Sequence, residues 1–120
     1  MKKLYLIATG VILFLGVGHT LLTPMFFSQF SADALWFAGT GLALVFLGFF
    51  NLAAARVQAQ WIYTYVIPAN IILAIYVTAI VAVLPEIQAY LGAFAAWIMA
   101  ITSIFARSQS NPAIIRSGKG

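Results

Sequence analysis

Long apolar runs separated by short polar breaks organise this chain. Leu4 to about Thr23, Ala34 to Ala55, about Trp61 to Leu84, and Ile87 to Ala106 contain no formally charged side chain. A helix rises about 1.5 Å per residue, so roughly 20 apolar residues cross the roughly 30 Å hydrocarbon layer of a bilayer. Each run is long enough. Lipid offers the backbone no hydrogen-bond partner, which favours helices, and the period-two alternation of a membrane β-barrel is absent. The pattern predicts an all-α integral membrane bundle of four antiparallel transmembrane helices, over about 4–23, 34–55, 61–84 and 87–106. These form one domain, residues 1–107, followed by a flexible cytoplasmic tail over 108–120 that contains Pro112 and two glycines.

Composition agrees with a lipid solvent. Of 120 residues 64% are apolar and 7% charged, against about 25% charged in a soluble domain. The few charges are sorted. Lys2 and Lys3 precede the first run, Arg56 lies between the second and third, and Arg107, Arg116 and Lys119 follow the fourth. Asp33 and Glu86 fall in the other two connections. By the positive-inside rule both termini and the central loop are cytoplasmic. The inner loop, Val57 to Gln60, and the outer Pro85-Glu86 are short. The outer connection from Pro24 to Ala32 carries Met25, Phe26, Phe27 and Phe30, which suit the membrane interface. Met1-Lys2-Lys3 before an apolar run is also how a cleaved signal peptide begins, and Ala32-Asp33-Ala34 has the small-residue cleavage pattern. The length of the run, and the distance of that site beyond its end, favour a retained first helix. Cations dispersed at helix ends do not make the basic stripe of a nucleic-acid interface. With no cysteine there is no disulfide framework and no thiolate metal site.

Few residues remain that could carry chemistry. Ser31 and Asp33 at the second helix start, and Pro85 and Glu86 at the fourth, match capping and dipole rules better than proton chemistry. His19 is the ionisable group within a span, about 22 Å along the first helix and thus in its outer half. Thr23 lies one turn above it, and Trp36, Thr40, Thr78 and Gln88 share its depth on other helices. These six define a candidate outer-leaflet pocket; the plainer reading is a neutral imidazole bonded to one hydroxyl. No second histidine accompanies it, so no metal site and no cofactor is expected. Pro68 and Asn70 form a candidate helix break in the third run, because proline cannot donate to the Thr64 carbonyl. The plainer reading is a static kink with Asn70 bonded to another helix. Asn51 lies about 27 Å below Asp33, too deep to meet His19. Small residues Ala34, Ala38, Gly41, Gly48, Gly92, Ala96 and Ser103 recur at helix-packing intervals. No nucleophile–base pair or buried carboxylate is visible, so no catalytic residue is assigned.

Gly16-Val17-Gly18-His19, with Leu35-Trp36-Phe37-Ala38-Gly39-Thr40-Gly41 through Leu47-Gly48 to Asn51-Leu52, resembles a group of uncharacterised small bacterial four-helix membrane proteins. The likeness covers mainly residues 4–52. It implies four helices and a bacterial inner membrane and carries no activity. The four-helix multidrug exporters are similar in size, but the glutamate within their first helix has no equivalent here.

The sequence therefore points to a non-enzymatic membrane protein whose partners are the lipid bilayer and either further copies of itself or a larger membrane complex. The alternative is a small transporter or ligand-binding protein built around His19. Nucleic acid is not expected as a partner.

Overall fold

The computed structural model describes residues 1–112. Four helices account for nearly all of them: α1 (Lys2–Phe26), α2 (Ala32–Val57), α3 (Gln60–Val83) and α4 (Ile87–Gln109). Each is long and apolar enough to cross a membrane. They pack into an elongated body of 58 × 25 × 20 Å. α1 packs most extensively on α2, and α3 on α4; the two pairs join through α1 and α4, while α2 and α3 share the smallest of these contacts.

Helix ends explain the departures from the expected boundaries. α1 passes through Pro24 to Phe26, and the Phe27 amide donates to the Thr23 carbonyl at 3.0 Å. Proline removes one donor but leaves φ in the helical range, so near a terminus it costs a bond and does not end the helix. Ser31 caps α2, its hydroxyl accepting from the Ala34 amide at 3.2 Å, with Asp33 in the first turn. The other end of α2 closes at Gln58, whose φ of 52° is left-handed and whose amide donates to the Ala54 carbonyl. α3 is helical throughout, including Pro68; the helix break expected at Pro68 and Asn70 does not occur.

α4 continues to Gln109, so Ser108 and Gln109, expected in the tail, belong to the helix. The next residues are tied down. The Asn111 amide donates to the Gln58 carbonyl at 2.9 Å, Gln60 Nε2 donates to the Ser110 carbonyl, and the Ser110 hydroxyl donates to the Ala106 carbonyl. Backbone groups emerging from α4 and from the α2–α3 loop satisfy each other, which holds this stretch in place. The remainder of the expected flexible tail, 113–120, lies outside the described residues.

The core follows helical periodicity. Tyr5, Ala8, Thr9, Ile12 and Gly16 form the buried face of α1, while Ile7, Phe14, Leu21 and Met25 are exposed. Close approach depends on the small residues. A Cβ on Gly16 would stand 2.8 Å from the Gly41 carbonyl oxygen and 2.9 Å from the Val45 nitrogen, and one on Gly48 would strike the Leu13 side chain. Gly92 of α4 lies against Val77 of α3 and Leu15 of α1. The small residues noted in the sequence thus serve seams within the chain, where dispersion contacts between closely packed helices exceed those that lipid tails supply.

Gly16→Ala should therefore destabilise the protein by about 1–3 kcal/mol, because backbone atoms cannot swing aside. Gly10→Ala, where an added Cβ meets nothing within 4 Å, should be neutral or stabilising by up to about 1 kcal/mol. Equilibrium unfolding of the purified protein in mixed micelles checks both.

Candidate functional site

The strongest polar constellation joins three helices. Tyr5 lies on the inner face of α1 with Ala8 and Thr9, Asn51 on that of α2 with Gly48 and Ala54, and Asn70 on that of α3 with Val66 and Ala74. The two asparagine side chains are fully buried, each 0% exposed. Asn51 Nδ2 donates to Asn70 Oδ1 at 2.9 Å, and Asn70 Nδ2 donates to Asn51 Oδ1 at 2.8 Å, a reciprocal amide pair. The Tyr5 hydroxyl donates to the same Asn51 Oδ1 at 2.6 Å, and Asn51 Nδ2 also reaches the Leu47 carbonyl at 2.8 Å. Asn51 has thereby used both amide hydrogens and both lone pairs of its oxygen. A buried amide without partners costs several kcal/mol in an apolar medium, so this saturation fixes how the helices meet.

Beside this network, at the end where α1 and α3 begin and α2 and α4 finish, lies a recess of about 120 Å³. Tyr5 and Tyr63 line it together with Lys2, Gln58, Gln109 and Ser110. The Tyr63 hydroxyl donates to the Ala54 carbonyl at 3.2 Å. Both tyrosine protons are committed to the protein, which leaves phenolic oxygens as acceptors. Lys2 and the two glutamines contribute N–H donors.

The residues of the outer pocket expected around His19 find separate partners. His19 is half-buried and stacks on Phe37, with ring centroids 4.0 Å apart and planes at 20°. Phe26 and Phe27 surround the same Phe37 ring at 5.7 and 5.4 Å. Thr23 donates its hydroxyl to the His19 carbonyl, and Thr40 to the Trp36 carbonyl. Thr78 donates to the Ala74 carbonyl and accepts from Trp97 Nε1 at 2.9 Å. Gln88 bonds Glu86, and Trp36 is 78% exposed. Among these six residues no hydrogen bond joins one side chain to another. Threonine in an apolar helix is satisfied by the carbonyl four residues back, so it does not need to turn toward a shared site.

Tyr5, Tyr63, Gln58 and Gln109 were not singled out by the sequence, and Asn51 and Asn70 were not paired. A signal for that pairing existed. Asn51 is six residues before the end of α2 and Asn70 ten after the start of α3. Across a short hairpin that difference is about one helical turn. Among the described residues, no group of three His, Cys, Asp or Glu side chains could hold a metal ion, and no buried side-chain nitrogen or oxygen lacks a hydrogen-bond partner.

Comparison with protein-family models, curated proteins and solved structures finds no match. The functional reading rests on the geometry.

A double-mutant cycle on Asn51→Ala and Asn70→Ala should return a coupling of about 1–2 kcal/mol, the upper range for interhelical hydrogen bonds in membranes. Unfolding in mixed micelles measures it, and additive losses would show the pair to be idle. His19→Ala should cost about 0.5–1.5 kcal/mol while His19→Phe preserves stability, since the Phe37 contact is a ring stack. Thermal midpoints of the two variants in one detergent separate them.

Proposed function

We propose that this chain is a non-enzymatic, multi-pass protein of a bacterial inner membrane that acts by association, either with copies of itself or as an accessory subunit of a larger membrane complex. One observation carries the reading. Every buried polar side-chain atom among the described residues is already bonded within the chain, while each helix turns an apolar stripe outward. On α2 that stripe is Leu35, Leu42, Phe46 and Phe49, and on α3 it is Tyr65, Ile72 and Tyr76. Such a surface meets lipid or another helix.

The proposed arrangement has four antiparallel helices with both termini cytoplasmic. Gly16 meeting Gly41 while Tyr5 meets Asn51 supports opposed directions for α1 and α2. Asp33 and Glu86 start α2 and α4, while Lys2, Lys3, Arg56 and Arg107 cluster by sequence at the opposite helix ends. That sorting is what the positive-inside rule reads. The resemblance of residues 4–52 to small bacterial four-helix membrane proteins belongs to the same proposal. Against a transporter stand the uninterrupted helix at Pro68, the use of Asn70 to hold Asn51, and the stacking of His19 on Phe37.

Reporter fusions at the two termini should both be active only in the cytoplasm. Chemical cross-linking in native membranes should trap a discrete oligomer or a stoichiometric partner. A chain that stays monomeric and unpartnered in membranes, or that drives solute flux in liposomes, would overturn the association reading.

A further inference from the structure

We infer that the recess beside Tyr5 and Tyr63 binds an anionic, phosphate-bearing group. The inference stands apart from the association reading, since either can hold without the other. Three observations carry it.

The first is size. At about 120 Å³ the recess is well below the roughly 300–1,000 Å³ of pockets for drug-sized ligands. It has room for a compact head group and excludes a nucleotide or an extended substrate.

The second is charge. Lys2 lines the recess, and Arg56 and Arg107 fall in the last turns of α2 and α4, the helices whose final residues form the wall. Both acids sit at the starts of α2 and α4, at the other end of those helices. Nothing acidic among the described residues lines the recess, so the formal side-chain charge on its wall is positive.

The third is the donor and acceptor pattern. Among the described residues no hydrogen bond engages the side chains of Lys2, Gln58 or Gln109. An ammonium and two carboxamides present N–H groups and suit phosphate oxygens. The Tyr5 and Tyr63 hydroxyls spend their protons on Asn51 and on the Ala54 carbonyl. Their oxygens accept, as the hydroxyls of a glycerol head group require, and Ala55 and Ala106 supply apolar wall between. An anion of this class can reach the recess as a phospholipid head group or as free phosphate.

Native mass spectrometry of the full chain in mild detergent, titrated with phosphatidylglycerol or phosphatidylcholine, tests this. Phosphatidylglycerol should be retained preferentially. Gln109→Glu, which keeps side-chain size but sets a carboxylate in the wall, should weaken it about tenfold, and Lys2→Gln similarly. Lys3→Gln removes an equal charge without touching the recess and should leave retention nearly unchanged. Unchanged thermal midpoints confirm that the variants fold. Displacement of the lipid by inorganic phosphate would support the site with free phosphate as its source, and retention against phosphate would support the lipid head group. Equal retention of both lipids, or an equal loss from Lys3→Gln and Lys2→Gln, would overturn the proposal.

Discussion

A polar group placed among hydrocarbon has to find its partner inside the protein, and that constraint governs this structure more than any single contact. Four apolar helices have little reason to prefer each other over lipid on hydrophobic grounds, because lipid tails are equally apolar. What distinguishes one arrangement from its rivals is close packing at small residues together with the need to pair a few polar side chains. Asn51 and Asn70 meet that need reciprocally and recruit Tyr5. Rotating α2 or α3 about its axis would turn an amide into lipid and leave its partner unpaired. The glycine seam of α1 and α2 sets how near two helices come; the amides set which faces meet.

The helices were legible in the sequence because charge is excluded from hydrocarbon over a whole run, a signal that many residues share. Their ends were legible only where a cap announces itself. Ser31 and Asp33 marked the start of α2. Pro24, which the sequence places in the outer connection, lies inside α1, which continues to Phe26. Residues 108–111 were read as tail from polarity alone. Their backbone is held by the Gln58 carbonyl and by Gln60, a long-range pairing that no local pattern encodes.

The site was less legible because depth along a helix says nothing about rotation around it. His19, Thr40, Thr78 and Gln88 do share an approximate depth, but each side chain found a nearer partner. Three threonine hydroxyls folded back on their own helices, and the imidazole took an aromatic face. Depth combined with the hairpin connection does better. The same counting that ruled Asn51 out as a neighbour of His19 brings it to within about one turn of Asn70. The small residues succeeded for a related reason: their spacing reports a face as well as a depth, and Gly41 and Gly48 lie in the seam between α1 and α2.

The two ends of the structure solve the same problem differently, and the difference decides where binding can occur. Around His19 the imidazole stacks on Phe37, and the threonine hydroxyls donate to the carbonyls of their own helices. At the other end, Tyr5 and Tyr63 donate inward but keep acceptor capacity, and the carboxamides of Gln58 and Gln109 lie at helix termini. Side chains at termini can be hydrated when no ligand is present, which removes the desolvation penalty that an empty polar cavity deep in hydrocarbon would carry. A recess with polar walls is consequently stable at a helix end and unstable midway along the helices. The interior rigidifies through saturated amides, and the polar recess lies at the rim where α1 and α3 begin and α2 and α4 finish.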